Sequence, residues 1–364
     1  MKKIKLFDQS IDKKELVAVK KTLESHFWAS GSSVGNVAMF ENSLRKYIKT
    51  KSCISVNSGT AALHLALSVF DIKNKEVILP SLSFVSTAHA IIHNGGIPKF
   101  IDINPETMCI DETLLENNIT KKTKMIIPVH FAGFPCNMDK IKKICKKNNL
   151  HIVEDAAHAI GTNYNRKKIG SHGDAVCFSF HPTKNLPTPS GGAITINTKN
   201  HDDLTKKLLG RRWCGISKRK GFSYDVDDIG WNYYMNQFSA AIGNEQLKKL
   251  DSQIKKRIHV AKRYSQELHN EFKMKFNNDC AYHFFWIHIK NRKNLMKKLK
   301  QVGIETGIHY KPIHQMSFYK NSKAKLPNTE NLTKSILSIP CHPNLMEHEI
   351  SFIIKNINNY AISS

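Results

Sequence analysis

The chain has 364 residues, of which 41% are hydrophobic, and its 55 Lys and Arg residues against 30 Asp and Glu give a formal net charge of +25. This length exceeds what one hydrophobic core usually supports, so we expect a large and a smaller domain, and the apolar fraction excludes wholesale disorder. No run of about 18 uncharged apolar residues is present, and the charged N-terminus lacks the apolar core of a signal peptide, so the sequence predicts neither a membrane span nor secretion.

Strand and helix patterns alternate through the first 240 residues. Short β-branched apolar runs predict strands at residues 52–56, 76–79, 98–101, 125–129, 151–154, 175–180 and 192–197. Helical patterns lie between them, for example at 61–70, 85–93 and 138–148. This alternation predicts an α/β fold with a mostly parallel, seven-stranded sheet flanked by helices, and ligands on such sheets bind at the carboxyl ends of the strands.

A long helical pattern from Met235 to about Asn270 leads into a second unit. Beyond it, the segments 281–289, 302–310 and 347–360 predict a small α+β arrangement. We therefore place a large domain at residues 1–245 and a small C-terminal domain at residues 246–364.

The cysteines and the basic charge narrow the choice of partners and compartment. The eight cysteines include no C-x-x-C pair, so the sequence predicts no metal site, and their apolar surroundings predict reduced thiols in a cytoplasmic protein. A charge of +25 is typical of proteins that bind nucleic acid or membrane surfaces. Here the basic residues form many short clusters, which favours the interpretation that the lysines are spread over solvated faces. We therefore expect neither nucleic acid nor a membrane as a partner. A positive field that attracts an anionic small substrate is a third interpretation.

The run Asn-Ser-Gly-Thr-Ala-Ala at residues 57–62 follows a predicted strand and opens a helix. Helix N-termini offer unpaired amide donors and the positive end of the helix dipole, so this turn can bind a phosphate. Gly59 would let the backbone approach the anion, and Thr60 would add a hydroxyl. Ser179, at the end of another strand, could donate to the same phosphate. The alternative is a plain helix cap, a role that Ser and Thr often have.

Three further residues follow strand ends in the same half of the chain. Phe84 could stack on a flat ring, or could be an ordinary core residue. Asp155 closes an apolar strand, where a buried carboxylate needs a partner such as a pyridinium nitrogen, although an aspartate can equally cap the next helix. His158 lies three residues on and could contact the same ring, or could be a core histidine.

Lys184 lies in the run Ser-Phe-His-Pro-Thr-Lys-Asn-Leu at residues 179–186, shortly before Gly191-Gly192. A lysine in an enclosed site near a cation loses proton affinity and becomes nucleophilic at neutral pH. Together with Asp155, Lys184 indicates a pyridoxal 5'-phosphate (PLP) enzyme. The lysine would form a Schiff base with the cofactor aldehyde, and the carboxylate would keep the pyridine nitrogen protonated so that the ring accepts electrons.

In this order, the motifs resemble the sugar-nucleotide aminotransferases of the DegT/StrS type, which have the aspartate-aminotransferase-like fold of PLP enzymes (fold type I). The resemblance runs over nearly the whole chain. It rests on Phe40-Glu41, the run 57–63, Pro80-Ser81 with Phe84 to Thr87, Pro98-x-Phe100-x-Asp102, Val129-His130-x-x-Gly133, the run 154–159, Ser179-Phe180 with Lys184, Gly230-x-Asn232-Tyr233-x-Met235, the run 240–242, Gly303-Ile304, His309-Tyr310-x-Pro312-x-His314 and Ile339-Pro340-x-His342-Pro343.

The resemblance implies a role for each candidate residue. Lys184 would carry the cofactor and move protons, and Asp155 and His158 would complete the catalytic set. The implied cofactor contacts are Gly59, Thr60 and Ser179 on the phosphate, Phe84 on the ring, and Asn232 on the phosphate of the neighbouring subunit. The resemblance therefore implies a homodimer with shared active sites, with His309 and Tyr310 near the substrate.

The implied reaction is a two-stage amino transfer. L-glutamate would convert the cofactor to pyridoxamine 5'-phosphate (PMP) and leave as 2-oxoglutarate, and the amine would then pass to C4 of a nucleotide-linked 4-keto-6-deoxyhexose. The chain departs from the family at Pro187-Thr188-Pro189-Ser190, where a glycine-rich stretch with an acid is common. The prolines stiffen the loop, which would alter sugar selectivity.

Three alternatives stay open at this point. The first is a relative that aminates C3. The second is a PLP-dependent dehydratase, a branch in which histidine replaces the lysine, so Lys184 argues against it. The third is a basic, non-catalytic protein with this fold that regulates or binds nucleic acid, which would show salt-sensitive binding to DNA or RNA.

Overall fold

The computed structural model describes residues 3–221, 223–269 and 273–362. Its strands are β1 (Ser52–Val56), β2 (Glu76–Pro80), β3 (Ile97–Ile101), β4 (Thr123–Ile126), β5 (His151–Asp155), β6 (Asn163–Tyr164), β7 (Lys167–Lys168), β8 (Ala175–Ser179), β9 (Gly192–Ile196), β10 (Ile216–Lys220), β11 (Ser223–Val226), β12 (Phe285–His288) and β13 (Ile336–Ile339). Its helices are α1 (Lys13–Glu24), α2 (Gly35–Ile48), α3 (Gly59–Ser68), α4 (Ser86–His93), α5 (Leu115–Asn118), α6 (Met138–Lys147), α7 (His201–Arg212), α8 (Gln237–Glu267), α9 (Arg292–Gln301), α10 (Pro327–Ser335) and α11 (Glu347–Ile362).

A seven-stranded sheet in the order β1-β9-β8-β5-β4-β2-β3 organises the first part of the chain. The pairs β2–β3, β2–β4, β4–β5 and β5–β8 are parallel, whereas β9 runs antiparallel to both β1 and β8. Helices cover both faces, and separate apolar clusters fill the two sides of the sheet. The prediction of a mostly parallel α/β sheet with seven strands is therefore confirmed.

In the seven-stranded sheet, the predicted strand bounds are within one or two residues of the observed ones, except for the strand predicted at 125–129. The strand predicted at 125–129 ends at Ile126, and Val129 forms only an isolated parallel bridge to Asp155. Pro128 interrupts the strand because proline has no N–H to donate to a neighbouring strand. Its carbonyl nevertheless accepts a hydrogen bond from the Asp155 amide at 2.9 Å, which joins the two chain segments where the strands end.

The long helix α8 begins two residues later than predicted, since the Asn236 side chain caps it by accepting a hydrogen bond from the Ser239 amide at 2.8 Å. Its last residue is Glu267, and the predicted end at Asn270 lies outside the described residues. The predicted domain boundary at 245/246 falls inside this helix. One large apolar cluster includes residues from both sides of that boundary, and the division into two domains stays a prediction.

After α8, the antiparallel strands β12 and β13 pair with each other and pack with α9 and α11 into that large cluster. The segment 302–310 forms no strand, only isolated bridges, such as the one between Ile304 and Ile4 near the N-terminus. Of the helices in the described ranges, none is long and apolar enough to cross a membrane. All eight cysteines are free thiols, and six of them are buried.

Candidate active site

A cavity of about 430 Å³ lies where the carboxyl ends of several sheet strands meet. Its walls come from the turns after β1 and β2, the ends of β5 and β8, and the connection from β8 to β9. Eight of the ten predicted site residues line it: Gly59, Thr60, Phe84, Asp155, His158, Ser179, Lys184 and Tyr310. The two others, Asn232 and His309, do not.

One end of the cavity is the start of α3. The Ser58 side chain caps this helix by accepting from the Ala61 amide at 3.0 Å. Because the first amides of a helix have no intrahelical acceptor, those of Gly59 and Thr60 are available to an anion. Ser179 lies against this turn so closely that a Cβ on Gly59 would be 2.7 Å from the Ser179 Cβ. Two amides and a hydroxyl therefore converge here.

Asp155 is buried at the end of β5, and its carboxylate is held from two directions. The Thr87 hydroxyl donates to Oδ2 at 2.7 Å, and the Ala157 amide donates to Oδ1 at 3.1 Å. Thr87 in turn lies 2.7 Å from the Ser83 hydroxyl. With the Thr87 proton given to Asp155, Ser83 must be the donor of that second bond, so the three side chains form an oriented chain.

Lys184 faces the same cavity from the connection between β8 and β9. Burial lowers the pKa of its ammonium to about 8, and the nearby Asp155 carboxylate opposes that shift. Its backbone is fixed locally, since the Lys184 amide donates to the His181 carbonyl at 2.8 Å and the Asn185 side chain donates to the Ala281 carbonyl at 2.9 Å. An amine that is partly uncharged near neutral pH, held opposite a carboxylate, can act as a nucleophile and as a proton carrier.

His158 and Tyr310 form a polar pair on the cavity wall, with the His158 Nε2 3.1 Å from the Tyr310 hydroxyl. The Ala132 amide donates to Nδ1 of His158 at 3.3 Å, which places the ring proton on Nε2. Burial, with Lys184 and His309 nearby, holds the pKa of His158 well below its usual value. The imidazole is therefore neutral and donates to the tyrosine oxygen.

The remaining predicted residues differ in exposure. Phe84 is 56% exposed and lies at the mouth of the cavity, 6.1 Å from the Tyr310 ring. His309 turns away from the cavity: its ring stacks on Phe284, and its Nδ1 lies 2.8 Å from the Ser338 hydroxyl. Asn232 is on the surface, and its carbonyl accepts from the Asn57 side chain at 3.2 Å.

Sequence reasoning missed three side chains that support the site. Thr87 holds Asp155 and Ser83 contacts Thr87. Thr87 belongs to the motif that carries the family resemblance, but only Phe84 in that motif was given a role. His283 lies 3.5 Å from the Lys184 Nζ, although 99 residues separate the two in the chain. Ser83 lies before the first residue of α4, so no helical spacing relates it to Thr87. No local pattern identifies His283.

The loop at residues 187–190, where the sequence departs from the family pattern, forms part of the cavity wall through Pro189 and Ser190. The Thr188 Oγ1 lies 3.1 Å from the Phe180 carbonyl oxygen and 3.0 Å from the Ser190 carbonyl oxygen, so its single proton is shared between these two acceptors. The Thr188 amide donates to the same Phe180 carbonyl at 2.8 Å. The loop is thus tied to the end of the strand that precedes Lys184.

Comparison with known proteins identifies the family. Residues 9–358 match the model of the DegT/DnrJ/EryC1/StrS aminotransferase family. The chain belongs to this family. The resemblance seen in the motifs is confirmed, and so is the fold of PLP-dependent transferases.

Individual relatives match along nearly their whole length. A UDP-4-amino-4,6-dideoxy-N-acetyl-beta-L-altrosamine transaminase of Campylobacter jejuni is 34% identical over 95% of this chain and 94% of its own. A GDP-perosamine synthase of Escherichia coli O157:H7 is 32% identical over 99% of both chains. The PMP form of Spr1654 from Streptococcus pneumoniae, described as a sugar aminotransferase, superposes with a TM-score of 0.94 at 26% identity and covers 99% of this chain and 98% of its own.

The chain is therefore a PLP-dependent aminotransferase of the same family as these sugar aminotransferases, and the donor set of the cavity fits PLP. The cofactor needs an amine for its aldehyde, a carboxylate for its ring nitrogen and amide or hydroxyl donors for its phosphate. The cavity presents Lys184, the oriented carboxylate of Asp155, and the helix start beside Ser179. No group of three His, Cys, Asp or Glu side chains in the described ranges is arranged to hold a metal ion.

Proposed function

We propose that this enzyme transfers an amino group from L-glutamate to C4 of a nucleotide-linked 4-keto-6-deoxyhexose. The observation that carries the proposal is the arrangement of Lys184 and Asp155 across one cavity that ends at the N-terminus of α3. The name of the C. jejuni relative, which is similar over 95% of this chain, specifies a 4-amino-4,6-dideoxy sugar on UDP, and this supports C4 as the position of amination.

When bound, PLP would supply the aldehyde that takes up the amino group and the ring that accepts electrons. Lys184 would hold the cofactor covalently and, once released, move a proton as general acid and base. Asp155 would pair with the ring nitrogen, and the Thr87 hydroxyl and Ala157 amide would keep its carboxylate oriented. Phe84 and the neutral ring of His158 would flank the cofactor.

The phosphate would bind at the start of α3. The amides of Gly59 and Thr60 and the hydroxyl of Ser179 would donate to it, and the helix dipole would favour the negative charge. Tyr310, held by His158, would face the sugar. We also propose that Pro189 and Ser190 select among sugars, because they form the cavity wall next to Lys184.

The first test is an absorbance spectrum of the purified protein with PLP, before and after addition of L-glutamate. Wild type should show the visible band of lysine-bound cofactor, and glutamate should convert it to the PMP form. Lys184→Ala should form no such band, whereas Lys199→Ala, which changes an exposed lysine outside the cavity, should behave as wild type. A wild-type protein with no band would refute the role of Lys184.

The substrate is tested with the PMP form. We expect amination of UDP- or GDP-linked 4-keto-6-deoxyhexoses, detected by mass spectrometry, and much slower reaction with 3-keto isomers. Faster turnover of the 3-keto compounds would show that the enzyme aminates C3 and not C4. The absence of turnover with either, after a normal glutamate half-reaction, would exclude nucleotide-linked deoxysugars as the amino acceptors.

We further propose a homodimer, active in the cytoplasm, in which Asn232 of each subunit contacts the cofactor phosphate of the other. Asn232 is exposed and does not line the cavity of its own subunit, which supports this assignment. Mixing two inactive variants, Lys184→Ala and Asn232→Ala, should restore about a quarter of wild-type activity, because half of the dimers are hybrids with one intact site. No recovery after confirmed subunit exchange would contradict shared sites.

A further inference from the structure

His283 lies next to Lys184 but is not part of the cavity wall. It stands just before β12, its side chain is 2% exposed, and its Nε2 is 3.5 Å from the Lys184 Nζ. The imidazole is packed between two rings. Phe7 stacks on it with a centroid distance of 5.0 Å and an angle of 17°, and His158 lies on it at 4.5 Å and 35°.

The backbone of His283 is also fixed. Its amide donates to the Ala132 carbonyl at 2.9 Å, and its carbonyl accepts from Arg257 at 3.3 Å. The Nδ1 atom is buried and has no hydrogen-bond partner among the residues that the structure describes. Among the described residues, the polar partner of this ring is therefore Lys184, which it contacts through Nε2.

The surroundings of His283 keep its ring neutral. The titratable and charged groups that act on it are Lys184, His158, Arg257 and His309, and no carboxylate is among them. Burial, together with these groups, holds the pKa of His283 well below its usual value. A buried polar ring with one nitrogen unpaired is costly relative to an apolar side chain of similar shape. The favourable polar contact of this ring is therefore the one that Nε2 makes with Lys184.

We propose that His283 is a positioning residue that holds the free amino group of Lys184 in place whenever the lysine is not bonded to the cofactor. The proposal rests on the proposed function of Lys184. A neutral imidazole can pair with both protonation states of a lysine. With its proton on Nδ1 it accepts from the ammonium, and with its proton on Nε2 it donates to the lone pair of the amine. The Lys184 nitrogen thus stays at one position throughout its proton transfers.

Three variants separate the polar role of His283 from its packing role. His283→Phe keeps an aromatic ring between Phe7 and His158 but removes both nitrogens. His283→Gln places an amide near the position of Nε2, and His283→Asn places one near Nδ1. Far-ultraviolet circular dichroism and thermal unfolding check that each variant is folded.

The first readout uses the full-length protein freed of PLP. Lys184 is labelled with trace acetic anhydride at a series of pH values, and its peptide is quantified by mass spectrometry. The wild-type midpoint should lie near pH 8. In His283→Phe it should fall by about one unit, because the hydrogen bond lost by the charged ammonium is stronger than the one lost by the neutral amine. His283→Gln should stay close to wild type, and His283→Asn should follow His283→Phe.

The second readout is the rate at which added PLP becomes bonded to Lys184, followed by the visible band. This rate should fall about tenfold or more in His283→Phe and recover in His283→Gln. Unchanged midpoints and rates in His283→Phe would overturn the proposal and leave His283 a packing residue. If His283→Phe does not fold, equal midpoints in His283→Gln and His283→Asn would overturn it instead.

The two proposals fail in different ways. A wild-type protein that forms no visible band would refute the function of Lys184. The labelling midpoints need no cofactor, so a lowered midpoint in His283→Phe would still support the pairing of the two side chains in that case.

Discussion

Gly59→Ala tests whether the start of α3 is the phosphate site. A Cβ on Gly59 would lie 2.7 Å from the Ser179 Cβ and 3.0 Å from its Oγ. Carbon atoms pack at about 3.5–4.0 Å, so the helix start and the end of β8 must separate by about 1 Å. Overpacking of this kind costs about 1–3 kcal/mol. The displacement also moves the amide donors away from Ser179, so we expect the affinity for PLP to fall about tenfold or more.

The assay has two measurements and three comparison variants. Urea unfolding of the cofactor-free protein measures the cost of overpacking, and an absorbance titration measures PLP affinity. Gly210→Ala is a matched control, because its Cβ would make an ordinary 3.6 Å contact with the Ile216 carbonyl. Adding Ser179→Gly to Gly59→Ala should recover part of the stability, whereas Ser179→Ala should not. Gly59→Ala with wild-type PLP affinity would refute the placement of the phosphate.

Two further predictions concern an oriented carboxylate and a buried histidine. Thr87→Val removes the hydroxyl that donates to Asp155. The single-turnover rate with glutamate should fall about 10- to 100-fold, since hydrogen bonds to charged groups contribute about 1.5–3 kcal/mol. Thr87→Ser should restore most of the rate, and a wild-type rate in Thr87→Val would contradict the orienting role. Burial, with Arg257 nearby, lowers the pKa of His342 to about 4. The unfolded state therefore binds more protons, and stability should be lost as the pH falls from about 6.5 to about 4, with an upper limit of about 3 kcal/mol for a shift of about 2.5 units. His342→Gln should flatten the acid side of the urea-unfolding profile, and an unchanged profile would exclude this contribution.

The parts of the site that could be predicted from the sequence are those fixed by local chain order. Asp155 and Lys184 each follow an apolar β-branched run, and the carboxyl ends of sheet strands meet at one edge, so their proximity could be inferred without coordinates. Thr87 and His283 reach the same side chains through tertiary contacts, which leave no periodic signal in the chain. His309 lies in a motif beside Tyr310, yet only Tyr310 faces the cavity, because the local sequence does not fix which side chain points inward.

The helices α1 and α2 and the hairpin of β10 and β11 were also not predicted, since they lie outside the strand-helix alternation that organises the sheet. The ends of elements were predicted least well where a single side chain or a proline sets them. The Asn236 side chain caps α8, so the helix starts later than predicted, and Pro128 ends the strand at 125–129 earlier than predicted. Both effects are local, but the apolar periodicity used for the prediction contains no information on caps or prolines.

The lowered pKa of Lys184 has one of the two causes that the sequence suggested. We expected an enclosed site near a cation, and burial is indeed the dominant cause. The neighbouring histidines His158, His283 and His309 all have lowered pKa values and are neutral, so they do not supply the cation. Since the ammonium must lose a proton before it reacts, capture of PLP should accelerate about tenfold per pH unit up to about pH 8 and level off above it. A capture rate that stays constant between pH 6 and 9 would show that Lys184 is already deprotonated at pH 6. Burial would then lower its pKa further than to about 8.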